Sequence, residues 1–173
     1  MKINKAVNAK RVGQITLRPK NDGLGIEFDG KITKKELTDP TGRVYFIVVN
    51  GDIEKIGGSQ DRGGIRGTIA AYRSGWRFKM SMRSYCCWKY MRQQLMKGNL
   101  VEIYYMLAPM TTARVPTMRG WVEREIATDF HQIEEACLNE FFQSENRYPH
   151  LNIQEGGRTW KDTGLLEGWS GMA

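Results

Sequence analysis

Residues 43–49, RVYFIVV, run into Asn50-Gly51, and DIEKIGGS (52–59) follows. No other stretch restricts the fold as strongly. Asn-Gly favours a two-residue hairpin turn because both central positions need positive φ. The run before it is rich in β-branched and aromatic residues, which suit a strand. An antiparallel hairpin is predicted over 43–57, delivered by the turn signal Asp39-Pro40-Thr41-Gly42. It carries an ionisable residue, Lys55, just before the glycines Gly57 and Gly58. Whether Lys55 can meet Tyr45 is a question of parity. A strict two-residue turn pairs Val49 with Asp52 and sends Tyr45 and Lys55 to opposite faces. A three-residue connection, or a bulge, puts them on one face as diagonal neighbours.

The rest of the pattern supplies partners for this hairpin. Two short strands, QITLR and LGIEF, are joined by a turn at Asn21-Asp22-Gly23. A glycine-bounded helix is predicted over Ile65–Arg73, and a longer one over Met80–Met96 closes at Gly98. LVEIYYMLA (100–108) reads as a buried strand, and Pro109–Gly120 reads as loop. Asp129 can cap a helix over 130–145, whose apolar residues Phe130, Ile133, Cys137, Leu138 and Phe141 recur at helical spacing. The fold class is mixed, α/β in content and α+β in order, with a small antiparallel central sheet flanked by helices. Three segments are expected: an N-terminal extension over 1–42, a core over 43–155 and a glycine-rich tail over 156–173.

Charge and cysteine content narrow the function. The 173 residues carry a formal net charge of +7, which favours polyanionic partners. The bases are clustered. Nine of them fall between Arg62 and Lys97 with no acid among them, interleaved with Tyr72, Trp76, Phe78, Tyr85, Trp88 and Tyr90. Lys2, Lys5, Lys10, Arg11, Arg18 and Lys20 form a second acid-free block. One such block suits a solvated basic face, but two separate ones in one small chain favour a phosphate backbone as partner. Three cysteines, two of them adjacent, cannot build a disulfide framework. MKINKAVNAK has no apolar signal core, and no run approaches the roughly 18 apolar residues of a membrane span. The expected setting is a reducing cytoplasm. Two histidines exclude a histidine-rich metal site; His131 and His150 read as surface residues.

Phosphodiester cleavage needs a proton acceptor for water, a cation on the phosphate and commonly a divalent metal. A tyrosine can accept the proton if a nearby cation favours its phenolate. Tyr45 with Lys55 is a candidate pair. Gly57 and Gly58, followed by Ser59, would let a phosphate approach the backbone.

These motifs resemble the GIY-YIG nuclease superfamily. RVYF stands for the first tripeptide, with Tyr45 as its tyrosine, and Lys55-Ile56-Gly57 stands for the second. A lysine there is similar to some Type II restriction endonucleases of the superfamily. EACLNEFFQSENRYPHLN resembles the later pattern of a helical glutamate followed by Pro and Asn: Glu140, Pro149, Asn152. The Gly and Ile of the first tripeptide are absent. The histidine or tyrosine expected four residues after the helical arginine is Ala70, and Tyr72 is its nearest substitute.

The resemblance implies a sequence-specific endonuclease acting on double-stranded DNA. Catalytic roles would fall to Tyr45, Lys55 and Glu140, with Arg66 favoured over Arg83 on the phosphate. Glu140 would hold Mg²⁺, or another divalent cation such as Mn²⁺, with Glu134 as its rival. Gly57, Gly58, Ser59, Tyr72, Arg73, Arg77, Lys79 and Asn152 would contact substrate. A homodimer is expected, because one site cuts one strand of a palindrome. A cognate methyltransferase acting on the same DNA would accompany a restriction enzyme. A phage or mobile-element nicking nuclease and a catalytically drifted DNA-binding protein are the alternatives.

Overall fold

The computed structural model describes residues 1–18, 23–73 and 81–169. The expected turn at Asn21-Asp22 and the side chains of Trp76, Arg77, Phe78 and Lys79 lie outside the described residues.

The hairpin forms as β3 (Arg43–Val49) and β4 (Asp52–Ser59), joined at Asn50 (φ 49°) and Gly51 (φ 82°) with Val49 opposite Asp52. It is the two-residue turn that Asn-Gly favours. The register then shifts: Val48 faces Ile53, but Ile47 faces Lys55, leaving Glu54 as an extra residue. This bulge restores the parity that the turn alone denies. Tyr45, Ile47 and Lys55 now share one face, and Phe46, Val48, Ile53 and Ile56 share the other.

Three more strands complete an antiparallel sheet: β1 (Lys10–Leu17), β2 (Leu24–Phe28) and β5 (Val101–Leu107), in the order β2-β1-β5-β3-β4. The N-terminal region, expected as an extension, contributes two of the five strands. α1 (Lys34–Leu37) is a single turn closed by a reciprocal Thr33–Glu36 capping box. α2 (Gly64–Arg73) and α3 (Met82–Met96) bring Ile65, Ile69, Tyr72, Cys86, Cys87 and Met91 onto the Tyr45 face. The tail reinforces that layer: Trp160, in a short 3-10 turn, and Leu165 are buried, and the Tyr85 hydroxyl donates to the Glu167 carbonyl at 3.0 Å.

After β5 the chain departs from expectation. Pro109–Gly120 is not loop but the first part of a second hairpin, β6 (Met110–Thr117) and β7 (Gly120–Ala127), whose residues are nearly all exposed. Asp129 then caps α4 (Phe130–Glu145), its carboxylate accepting from the His131 amide at 2.9 Å. α4 packs Leu138 and Phe141 against Val44, Phe46, Val48, Ile53 and Ile56. The sheet is therefore covered on both faces, and β3 is buried along its whole length. β4 is an outer strand, and the cleft described next lies along its edge.

Candidate functional site

A cleft of about 120 Å³ opens beside the end of β4, lined by Tyr45, Lys55, Gly57, Gly58, Arg83, Glu134 and neighbours from 151–155. Each group arrives for a local reason. Tyr45 points from the face that Gly57 leaves bare. A Cβ at Gly57 would lie 2.5 Å from the Tyr45 Oη, so the ring occupies the space that the glycine vacates. On the opposite face a Cβ at Gly58 would be blocked by the Glu134 carboxylate and the Phe130 ring. The two glycines, expected to admit a phosphate, first admit a phenol and a carboxylate from the two sides of the sheet edge. Ser59 is turned elsewhere, its Oγ sharing a 2.8 Å hydrogen bond with Thr68.

Lys55 is 4% exposed, and its Nζ donates to the Leu151 carbonyl at 3.4 Å. That carbonyl belongs to a segment that closes the strand edge. The Leu151 amide donates to the Glu54 carbonyl at 2.8 Å. The Asn152 amide group pairs with Ile56 in both directions: its Oδ1 accepts from the Ile56 amide at 2.9 Å and its Nδ2 donates to the Ile56 carbonyl at 2.8 Å. Asn152, expected on the substrate, lines the cleft but spends its hydrogen bonds bracing β4.

Tyr45 is 6% exposed and its hydroxyl lies 2.5 Å from that of Tyr72 on α2. Tyr72 thus meets Tyr45 directly. Burial pushes the Tyr45 phenol well above the ordinary tyrosine value; the Tyr72 hydrogen bond and Arg83 oppose it, while Cys87 and Glu134 add to it. Burial raises Tyr72 further, followed by the effect of Tyr45. The expectation that Lys55 makes Tyr45 a ready phenolate is therefore corrected. Lysine and tyrosine share the cleft, but desolvation keeps the phenol protonated.

The arginine and glutamate expectations also change. Arg66 is exposed on α2, six residues from Tyr72 and hence roughly 120° away around the helix. It lies instead with Arg18 near Arg73, where burial first and the two neighbouring guanidiniums next depress the Arg73 value. Arg83, at the start of α3, lines the cleft with its Nη2 donating to Gln154 Oε1 at 2.8 Å. Glu140 is exposed and lines a different cavity of about 470 Å³, with Met1, Lys5, Phe46, Ile53, Ile56 and Cys137. Six residues of helix carry it about 9 Å beyond Glu134 and off the side that faces Gly58. Glu134 takes the cleft position, with His131 Nδ1 3.9 Å from its Oε2.

Among the described residues no three His, Cys, Asp or Glu side chains gather as a metal-binding group. The cleft does offer two carboxylates, Glu134 and Glu155, beside open volume. That donor set suits a hard cation that keeps most of its waters, such as Mg²⁺. The thiols take no part: burial pushes Cys86 and Cys137 up to about 11 and keeps them protonated.

The fold defines a class: a five-stranded antiparallel sheet with helices on both faces and a polar cleft at its outer strand. No family model matches the chain. No curated protein matches it either. Among solved structures, a mutant of bacteriophage T4 EndoII is similar over 80% of this chain and 91% of its own, with a TM-score of 0.53 and 17% identity. Restriction endonuclease HPY188I, in complex with product DNA, is similar over 85% of this chain and 81% of its own, with a TM-score of 0.49 and 20% identity. The likeness to EndoII is a likeness of fold. Among the described residues no helix is long and apolar enough to cross a membrane.

Proposed function

We propose that this protein is a metal-dependent DNA endonuclease that hydrolyses phosphodiester bonds, acting on double-stranded DNA as a Type II restriction enzyme does. The observation that carries the reading is the convergence of Tyr45, Lys55, Arg83 and Glu134 on one cleft, made possible by the Glu54 bulge. The motif resemblance to GIY-YIG nucleases and the +7 charge support the same substrate.

In this reading Arg83 and Lys55 bind the non-bridging oxygens of the scissile phosphate and offset the charge that grows during attack. Tyr45 accepts the proton of the attacking water, which requires that it first lose its own. The Tyr72 hydroxyl, donating to the Tyr45 oxygen, favours that phenolate. Glu134 would hold the divalent cation, which supplies stabilisation of the departing 3′ oxygen. Asn152 and the Leu151 carbonyl keep β4 and Lys55 in register. A homodimer would cut both strands of a palindromic site.

Purified protein incubated with supercoiled plasmid and Mg²⁺ or Mn²⁺ tests the proposal, beside a Tyr45→Phe control. Discrete metal-dependent fragments, absent with the variant, support a restriction-type enzyme. Accumulated nicked circles replace it with a nicking nuclease. Plasmid that is bound but intact under every metal leaves a DNA-binding protein.

A further inference from the structure

A second cleft, of about 480 Å³, adjoins the first through Glu155, which lines both. Its other walls include Arg147, Tyr148, His150 and Arg158. Neither Arg147 nor Arg158 forms an ion pair among the described residues. Arg147 is nevertheless held in place, its guanidinium 5.6 Å from the centre of the Phe141 ring and its Nη1 donating to the Tyr148 carbonyl at 3.4 Å. His150 is half-buried, with its ring 5.2 Å from that of Tyr90. Burial lowers the His150 value first, and the positive charges of Arg158 and Arg147, which line the same cleft, lower it further. Glu54 and Glu145 lie within electrostatic range of Arg147, Asp162 lies within range of Arg158, and Glu155 lines the cleft. Yet among the described residues none of these acids pairs with either guanidinium, so two cations beside a half-buried imidazole still gain by taking up an anion.

We propose that Arg147, Arg158 and His150 bind a backbone phosphate of the DNA strand whose neighbouring bond lies in the Tyr45 cleft. The proposal rests on the nuclease reading. It makes this cleft a positioning subsite: a strand crossing the sheet edge would be gripped on both sides of Glu155, one phosphate reacting and one held. Guanidinium pairs suit phosphate because their donors match its oxygens in a fixed fork.

The test has two arms. The chain has two histidines, so proton NMR follows both imidazole resonances, with His131→Gln assigning them. Inorganic phosphate is expected to raise the His150 value by about half a unit to one unit, through the added negative charge. Arg147→Ala/Arg158→Ala is expected to abolish that response. In the second arm, a short duplex is titrated by fluorescence anisotropy at several salt concentrations, with Tyr45→Phe as the background. Removing both arginines should weaken binding about tenfold and reduce the salt slope by about 1. His150 unmoved by phosphate, with the slope unchanged, overturns the site. A phosphate response without a slope change assigns the cleft to a free anion and overturns the strand contact. Failure of the parent protein to bind duplex at all counts against the nuclease reading, and the phosphate arm still judges the pocket.

Discussion

Gly57→Ala adds one methyl group between β4 and the Tyr45 ring. On the present backbone its Cβ would stand 2.5 Å from both Cζ and Oη of Tyr45 and 2.8 Å from Cε1. Carbon contacts are comfortable from about 3.5 Å, so the ring would have to retreat by about 1 Å. It has little freedom to do so, being 6% exposed and tied to Tyr72. Gly57 does not have positive φ, so alanine fits the backbone and the harm comes from overpacking. Overpacking of this kind costs about 1–3 kcal/mol, which a domain stable by roughly 5–15 kcal/mol survives. A reacting group displaced by about 1 Å loses on the order of 10²-fold in rate. Single-turnover plasmid cleavage should therefore slow by about 100-fold, with duplex affinity retained and the melting temperature lowered by a few degrees. Cleavage by this variant at the parent rate would show that the position of Tyr45 is immaterial and would remove it from the mechanism.

Three further outcomes are expected. Arg83→Ala should slow cleavage by about 10²–10³-fold, as losing an electrostatic stabiliser does, whereas Arg66→Ala should chiefly weaken DNA binding; single-turnover rates and anisotropy separate the two, and the reverse pattern restores Arg66 to the site. Glu134→Gln should abolish Mg²⁺-dependent cutting while Glu140→Ala leaves it within a few-fold; a metal titration of cleavage decides between the two glutamates. Because burial raises the Tyr45 phenol above its ordinary value, the neutral form prevails at pH 7–9, and the phenolate fraction grows with pH. The cleavage rate should climb about tenfold per pH unit over that range, and Tyr72→Phe should lower the whole line by about tenfold; a plateau already present at pH 7 would exclude Tyr45 as the proton acceptor.

The hairpin, the helices and the strand over 100–108 were legible because each carries its own period, cap or turn residue. The hairpin's parity leaves the bulge open beside a three-residue connection, although the sequence carries a signal for it. Ile53 and Ile56 are both apolar and three residues apart, with Glu54 and Lys55 between them. A regular strand would send the two isoleucines to opposite faces, and only an extra residue lets both pack beneath α4. The β6–β7 hairpin was hidden for the opposite reason. Neither of its faces is buried, so the alternation that marks a half-buried strand is weak, and Pro116 with Gly120 suggests loop. The choice of Glu134 over Glu140 depends on which turn of α4 lies level with Gly58. Helical periodicity sets an angle, whereas that choice also needs the axial position of one element against another. Arg66 and Arg83 divide in the same way: both are basic helix residues, and only the packing of α2 and α3 on the sheet decides which one reaches Tyr45.

The edge position of β4 explains why a cleft can open there at all. An outer strand presents unpaired amides and carbonyls that must be covered. The Met1 carbonyl and Ile3 amide pair with Ile53 and Gly51, the Leu151 amide pairs with Glu54, and Asn152 pairs twice with Ile56. Among the described residues that cover stops at Ile56, and the cleft opens beside the next two residues, both glycine. Side chains there would occupy the space now taken by Tyr45 and Glu134. The bulge rotates Lys55 to the Tyr45 face, and the end of the edge cover leaves the cleft open just beyond it. The glutamate that carries the bulge is itself one of the residues whose carbonyl the 151–152 segment holds. Loss of that hold would release the strand register and the lysine together, so the covering segment and the Tyr45–Lys55 face form one structural unit.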